Sequence, residues 1–173
     1  MLAIPQKLHD TAIVTFLTHD ETQALLAAPD PARWEGRRDR ALLAVAVQTG
    51  LRLAELTGLD TGDIATGVGA HLTCTGKGRK QRVVPLTTNT VAVLHTWTRE
   101  RGGHPTDPLF PTRTGRRLSP DAVQRRVALH TATAAHDCCR APRLVRMVVT
   151  GSVRIVSGRV CSPGCRGAHS AVT

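Results

Sequence analysis

The sequence predicts an α+β fold that is mainly α-helical and contains a small antiparallel β-sheet. Three observations support this prediction: local helix-capping signals, apolar residues repeating at helical spacing between them, and two alternating segments joined by a glycine-containing turn. A chain of 173 residues, 41% of them hydrophobic, is long enough for one domain with a buried core. Because the chain has two Trp, two Phe and no Tyr, that core is expected to be aliphatic.

The first part of the chain carries signals for three helices. Thr18 and Glu21 have the spacing of a capping box, which predicts a helix start at this point. A second helix is expected over residues 37–48, with Gly50 in the left-handed conformation past its end. A short third helix is predicted over residues 53–57.

The middle of the chain alternates as β-strands do. His71–Thr75 and residues 81–86 are predicted to form two antiparallel strands, with residues 76–80 as a basic hairpin tip between them. Thr87 or Thr88 is then expected to cap a further helix.

The last part of the predicted body contains one apolar pair and one strong helix start. Leu109 and Phe110 predict a short strand or a buried anchor. Residues 119–121 (Ser-Pro-Asp) combine an N-cap, a proline at the first helical position and an acid at the positive helix end. A helix is therefore expected to run from there towards Ala135.

The charge of the chain indicates the kind of partner. Its net charge is +10 and its pI is about 10.9, which favours an acidic partner, most simply nucleic acid. The sequence shows no signal peptide and no apolar stretch of membrane-spanning length, so a cytoplasmic protein is expected. No cofactor, metal or small-molecule substrate is predicted, and no membrane partner.

Composition changes near residue 135. The segment 136–173 carries half of the net charge and has no Lys, Glu or aromatic residue. It could form a hairpin from strands 144–149 and 153–156, or it could be out-of-frame translation of GC-rich DNA, which is the interpretation we favour. A zinc site is a third interpretation, although its spacing is uncommon, and it would use four cysteines: Cys138, Cys139, Cys161 and Cys165.

The motif TGLRLAEL at residues 49–56 contains the first candidate functional residues. Arg52 follows Gly50 at a turn, where its guanidinium group could hold phosphate oxygens bidentately. Glu55 lies three residues later on the same helical face and could hold Arg52 in place. Taken alone, the pair is also compatible with a surface ion pair worth a few tenths of a kcal/mol.

The second motif, GKGRKQRVVPL at residues 76–86, places four cations within six residues: Lys77, Arg79, Lys80 and Arg82. These charges repel one another unless an anion lies nearby, which suggests a phosphate-binding hairpin, although the hairpin taken alone is most simply a solvated charged turn. The motif is not a Walker A loop, because His71 and Gly78 stand where that loop needs Gly and Ser or Thr.

The order of the two motifs resembles the catalytic domain of the tyrosine recombinases, the phage integrase family. The segments RRDRALLAVAVQTGLRLAELTGL at residues 37–59 and DPLFPTRTGRRLSPDAV at residues 107–123 extend the resemblance. It covers residues 14–135, which leaves 1–13 as a lead-in and 136–173 as a tail outside the pattern.

The resemblance implies a role for each matching residue. Arg52 would clamp the scissile phosphate, Glu55 would support it, and Lys77 would protonate the leaving 5′ oxygen. The implied DNA-backbone contacts are Arg79, Lys80 and Arg82. Double-stranded DNA and other recombinase protomers are the implied partners, and the implied chemistry requires no metal.

The sequence departs from the family pattern after residue 135. None of its histidines is followed three positions later by arginine, so the H-x-x-R box is absent, and no tyrosine is present to act as nucleophile. The prediction is therefore a catalytic domain truncated on its C-terminal side, which retains DNA binding and is catalytically inactive.

Two other hypotheses remain at this stage. Ala54, Gly58 and Ile64 have spacings seen in helix-turn-helix modules, and that hypothesis predicts a straight recognition helix from about Thr61. The other hypothesis is a pseudogene product with no selected function.

Overall fold

The computed structural model of the chain describes residues 17–76 and 80–137 and, for the backbone, the strands at 146–150 and 152–156. Its helices are α1 (His19–Ala27), α2 (Trp34–Thr49), α3 (Leu53–Gly58), α4 (Thr88–Arg101) and α5 (Pro120–Asp137). Its strands are β1 (Ile64–Ala65), β2 (His71–Thr75), β3 (Gln81–Pro85), β4 (Arg146–Thr150) and β5 (Ser152–Val156). The predicted mainly helical fold with a small antiparallel sheet is confirmed.

Helix starts follow the local capping signals. At α1 the Glu21 amide donates to Thr18 Oγ1 (3.3 Å) and the Thr18 amide donates to Glu21 Oε2 (2.8 Å), which completes the predicted capping box. At α5 the amide of Ala122 donates to Ser119 Oγ (3.2 Å), as the Ser-Pro-Asp sequence predicts.

Helix α2 begins at Trp34, three residues before the predicted start at residue 37. Its N-cap residue Arg33 makes no side-chain capping bond, so no local signal marks this end. Instead, the Trp34 ring packs edge-on against Trp97 of α4, with 5.3 Å between ring centroids. The additional first turn of α2 thus coincides with a tertiary contact, which capping rules do not predict.

The sheet has the order β1-β2-β3 and is antiparallel throughout. Leu72 and Cys74 of β2 are buried, and Cys74 lies opposite Arg82 of β3. Directly opposed residues of an antiparallel pair share a face of the sheet. Arg82 therefore lies on the same face of the sheet as Cys74, although its side chain is 50% exposed.

Residues 61–65 decide against the helix-turn-helix hypothesis. Thr61–Asp63 forms a single 3-10 turn and β1 follows at once, so the straight helix expected from about Thr61 is wrong. Two glycines nearby, Gly62 and Gly67, disfavour a helix in this segment.

Leu109 and Phe110 form a buried anchor rather than a strand. Both side chains are buried, and the indole Nε1 of Trp97 donates to the Leu109 carbonyl (2.9 Å). An isolated β-bridge lies on each side of Leu109 and Phe110: Pro108 pairs with Asp60, and Pro111 pairs with Arg117. The anchor thereby fixes the long α4–α5 connection against the segment that follows α3.

The core is aliphatic apart from Trp97, Phe110 and the thiol of Cys74, as the composition predicts. Its members come from all five helices, β2, the turns on either side of α3 and the α4–α5 connection: Leu25, Ala41, Leu42, Leu43, Val45, Ala46, Leu51, Leu53, Leu56, Leu59, Leu72, Cys74, Leu94, Trp97, Leu109, Phe110, Leu118, Val123 and Val127.

The predicted tail hairpin is present, with slightly different bounds. Strands β4 and β5 pair antiparallel, with Thr150 opposite Ser152 at the turn. The cysteines of the zinc interpretation, Cys138, Cys139, Cys161 and Cys165, lie outside the described residues. The out-of-frame origin of the segment 136–173 stays a hypothesis.

Candidate nucleic-acid interface

Arg52 projects from a turn that is fixed on both sides. Helix α2 ends at Gly50, whose φ of 58° and ψ of 28° are left-handed as predicted, and its amide donates to the Ala46 carbonyl (3.1 Å). Leu51 and Leu53 are buried on either side of Arg52, whereas the Arg52 side chain is 60% exposed. The two leucines anchor the turn and direct the guanidinium group to the surface.

Glu55 connects Arg52 to the sheet. Its carboxylate accepts from the Arg52 amide (2.8 Å), from Arg52 Nη1 (3.1 Å) and from Arg82 Nη2 (3.3 Å). The Glu55 side chain is only 7% exposed, whereas Arg82 is 50% exposed. We call these three residues the Arg52–Glu55–Arg82 cluster, in which one buried carboxylate holds two outward-facing cations.

The same contacts determine the charge of Glu55. Burial acts to raise its pKa, but the hydrogen bonds from the Arg52 amide and side chain and the charges of Arg82 and Arg52 outweigh burial. The net result is a lowered pKa. Glu55 is therefore an anion at neutral pH and offsets part of the repulsion between the two guanidinium groups.

The base of the basic hairpin lies against the cluster. The Gly76 amide donates to the Lys80 carbonyl (2.9 Å), which closes the hairpin stem, and Lys80 is exposed. A β-carbon placed on Gly76 would lie 3.3 Å from Glu55 Oε1, a tight contact, so glycine allows the hairpin to approach the carboxylate closely. Lys77 and Arg79 lie outside the described residues.

The structure therefore brings four of the predicted site residues into one region: Arg52, Glu55, Lys80 and Arg82. Sequence spacing does not reveal that Arg82 and Arg52 share a carboxylate. That contact depends on the register of β2 with β3 and on the packing of the sheet against α3.

A buried charged cluster escaped the sequence analysis. Asp39 accepts from Arg38 Nε (3.0 Å) and Nη2 (2.7 Å) and from Arg126 Nη1 (3.2 Å), and His130 Nε2 lies 3.0 Å from its Oδ2. Arg38 also donates to the Pro111 carbonyl (2.9 Å). We call Arg38, Asp39, Arg126 and His130 the Asp39 cluster, and it joins α2 to α5.

A sequence signal for this cluster did exist. Asp39 is in phase with the apolar stripe of Leu42, Leu43 and Ala46, and a charged residue at such a position must find a buried partner. His130 continues the stripe of α5 at helical spacing in the same way.

Arg117 is a second residue whose role was not predicted. Its Nη1 donates to the carbonyls of Thr57 (3.3 Å), Gly58 (2.8 Å) and Leu59 (3.2 Å), and its Nη2 donates to Asp60 Oδ1 (2.5 Å). These carbonyls end α3, where helix carbonyls lack partners within the helix. Arg117 thus caps the end of the helix that carries Arg52 at its start.

The described residues offer neither a metal site nor a membrane-spanning helix. No three His, Cys, Asp or Glu side chains in this part of the chain lie together in an arrangement that could hold a metal ion. Helices long and apolar enough to cross a membrane are likewise not found there.

Comparison with known proteins agrees with this fold. The profile of the Phage integrase family matches residues 15–137. The chain is 50% identical over 135 residues to y4rC of Sinorhizobium fredii, an integrase/recombinase by name. It is also 42% identical over 111 residues to the tyrosine recombinase XerC of Xanthomonas campestris.

Solved structures show the same architecture. The site-specific recombinase XerH, bound to its palindromic difH substrate, superposes on 70% of this chain with a TM-score of 0.60 and 26% identity. The XerA recombinase gives the same TM-score over 70% of this chain at 22% identity, which shows the fold alone. These superpositions cover 36% of the XerH chain and 43% of the XerA chain.

The matched region is a part of each longer relative. It accounts for 78% of this chain but 41% of y4rC, and for 64% of this chain but 34% of the Xanthomonas XerC. Since a profile match spans most of the chain and the described fold is that of solved recombinases, the chain belongs to the phage integrase family of tyrosine recombinases.

Proposed function

We propose that this chain binds double-stranded DNA by holding backbone phosphates at the Arg52–Glu55–Arg82 cluster, and that its 173 residues do not cleave a strand by themselves. Further contacts to the DNA would come, by resemblance to the family, from Lys77, Arg79 and Lys80. By resemblance to the family, Arg52 would clamp the phosphate and Lys77 would be the general acid of an intact catalytic domain.

The observation that carries the proposal is the shared carboxylate of Glu55. Arg52 and Arg82 are 60% and 50% exposed, and Glu55 engages one terminal nitrogen of each. A guanidinium group has five N–H donors in a planar fork. Both residues therefore keep donors directed away from Glu55, and two guanidinium groups held side by side suit the oxygens of one phosphodiester.

The relatives support DNA as the ligand. XerH, a recombinase that shares this fold, is known in complex with its difH DNA substrate. A net charge of +10 is the balance expected of a protein that neutralises phosphates.

Two missing groups support the absence of strand cleavage. The sequence contains no tyrosine to attack the phosphate and no H-x-x-R box to supply a second arginine. Groups that act as a catalytic unit are strongly non-additive, so loss of one removes most of the rate.

Other recombinase protomers form the second class of partner in the proposal. The difH substrate of XerH is palindromic, so it presents two equivalent half-sites. A second copy on a two-fold symmetric site is the simplest arrangement for such DNA.

Fluorescence anisotropy with labelled duplex DNA tests the binding function. Arg52→Ala and Arg82→Ala should each raise Kd roughly tenfold at low salt, since each removes a charge-assisted contact. Each should also lower the slope of log K against log salt by about 0.9, the effect of one lost phosphate contact.

Arg99→Ala is the matched control. Arg99 is an exposed arginine of α4 that lies eleven residues beyond Thr88, about 16 Å along the helix from the end that follows β3. Losses of equal size in Arg99→Ala and Arg52→Ala would mean that binding depends on overall charge and would overturn the cluster as the phosphate site.

A nicked suicide substrate tests the second half of the proposal. The purified chain should form no covalent DNA–protein adduct under conditions in which an intact tyrosine recombinase does so on its own substrate. An adduct that survives denaturing electrophoresis would contradict the absence of cleavage, and mass spectrometry would then identify the nucleophile.

A further inference from the structure

The amide side chain of Gln48 links the end of α2 to the end of the basic hairpin. Its Nε2 donates to the Pro85 carbonyl (2.8 Å). Its Oε1 accepts from the amide of Thr87 (3.2 Å) and from Thr87 Oγ1 (3.3 Å). Pro85 is the last residue of β3, and Thr87 is the N-cap of α4.

This link lies close in sequence to both cations of the cluster. Gln48 precedes Arg52 by four residues, and Gly50 and the buried Leu51 fix the backbone in between. Arg82 precedes Pro85 by three residues along a strand whose every residue is paired with β2. The positions of Gln48 and Pro85 therefore set the separation of the two backbones that carry the guanidinium groups.

The chemistry of the link requires an amide. A carboxylate could accept from Thr87 but could not donate to the Pro85 carbonyl, and an apolar side chain could do neither. Gln48 is half-buried, whereas its hydrogen bonds to Pro85 and Thr87 are exposed, so their contribution is that of ordinary surface hydrogen bonds.

We propose that Gln48 is a positioning residue for phosphate binding: its amide holds the basic hairpin in register with the Arg52 turn so that both sides contact the same DNA backbone. The inference rests on the proposed function, because it concerns how the Arg52–Glu55–Arg82 cluster is assembled. Gln48 itself need not touch DNA.

A double-mutant cycle on DNA affinity tests the coupling. Gln48→Met keeps the size of the side chain and removes both hydrogen-bonding functions. It should weaken duplex binding about fivefold in the otherwise unchanged chain, as expected for one or two lost hydrogen bonds. In an Arg82→Ala background the same change should weaken binding less than about twofold, because the hairpin cation that Gln48 positions is already gone.

Gln23→Met is the matched control for Gln48→Met, since Gln23 is an exposed glutamine on α1. Gln23→Met should leave affinity unchanged. Equal losses from Gln48→Met in both backgrounds, or no loss in either, would overturn the inference. If Arg82→Ala itself left DNA binding unchanged, the proposed function would fail instead, so the two failures are distinguishable.

NMR spectra of the free chain separate positioning from a general loss of structure. In Gln48→Met the Nε–H signals of Arg52 and Arg82 should shift, whereas the indole N–H of Trp97, bonded to the Leu109 carbonyl in the core, should stay in place. A shifted or lost Trp97 signal would assign Gln48 to the stability of the whole domain and would overturn a specific positioning role.

Discussion

Glu55 is the residue that joins the two guanidinium groups of the proposed phosphate site. It is nearly buried, it is negatively charged, and it accepts hydrogen bonds from a backbone amide and from two different guanidinium groups. A neutral side chain of the same shape could still accept a hydrogen bond from the Arg52 amide. It could not offset the repulsion between the two arginines.

Glu55→Gln should therefore destabilise the fold by about 1 kcal/mol at pH 7, measured as the free energy of unfolding in urea. The lowered pKa of Glu55 gives this effect a pH dependence. Because the folded-state pKa is below 4.5, the ionised carboxylate stabilises the folded state above that pH, and the stabilisation is lost as pH falls through the folded-state value.

The difference in stability between the unchanged chain and Glu55→Gln should accordingly be largest near neutral pH and shrink on acidification below about pH 4.5. Asp20→Asn in the exposed first turn of α1 offers a control, since Asp20 lies outside the Arg52–Glu55–Arg82 cluster. A constant difference across the whole pH range would contradict an ionic role for Glu55.

Candidate residues were predictable to the extent that their signal was local. Arg52 and Glu55 are singled out by an i, i+3 spacing beside a helix-ending glycine and the cations of residues 76–82 by their density, whereas their proposed roles come from the resemblance to the family. The contact of Arg82 with Glu55 spans 27 residues and depends on strand register, so no window of the sequence contains it.

Helix α3 is the element on which the site depends most directly. Arg52 is its N-cap residue, its six residues span about 9 Å, and its last carbonyls accept from Arg117. Helices this short are marginal by themselves, so contacts at both ends decide whether this one persists.

Arg117→Ala should destabilise the domain by about 1 kcal/mol, because it exposes several helix-ending carbonyls and removes a cation from the negative end of α3. Urea unfolding monitored by far-UV circular dichroism measures this loss. Arg116→Ala is the matched control, since Arg116 is the exposed neighbour in the chain.

Arg117→Lys should recover only part of the stability. An ammonium group keeps the charge, but it lacks the planar fork that reaches the carbonyls of α3 and Asp60 together. Full recovery with lysine would show that charge alone matters at this helix end.

The elements themselves were predicted where caps mark their ends. Backbone groups are satisfied locally at three helix ends: by the Thr18–Glu21 capping box, at Gly50, and by Ser119 before Pro120. Those helix ends lie where the sequence predicts them. Strand β1 has only two residues, which is too short for alternation to be recognised.

At the scale of the whole molecule, the Asp39 cluster joins α2 to α5 across 91 residues of sequence, from Asp39 to His130. Burial acts to raise the pKa of Asp39, but the hydrogen bond with His130 and the contacts with Arg38 and Arg126 outweigh it and lower the pKa. Removing the anion would leave the buried guanidinium group of Arg38 without its compensating charge.

Asp39→Asn should destabilise the domain by about 3 kcal/mol at pH 7, as measured by chemical denaturation. Since the folded-state pKa of Asp39 lies below 3.8, its stabilising contribution is present above that pH and is lost only in stronger acid. Asp20→Asn in the exposed first turn of α1 should cost well under 1 kcal/mol. Similar losses from the two variants would mean that the cluster does not join the helices energetically.

The paired indole rings of Trp34 and Trp97 have an optical consequence. Because the chain lacks tyrosine, its near-ultraviolet absorption and its emission arise almost entirely from these two residues, whose centroids lie 5.3 Å apart at 60°. At that separation the electronic transitions of the two indole rings couple. The guanidinium carbon of Arg38 lies 5.3 Å from the centroid of the Trp34 ring. The unlabelled chain therefore carries an intrinsic chromophore pair that reports on the approach of α2 to α4, with little background from its two phenylalanines.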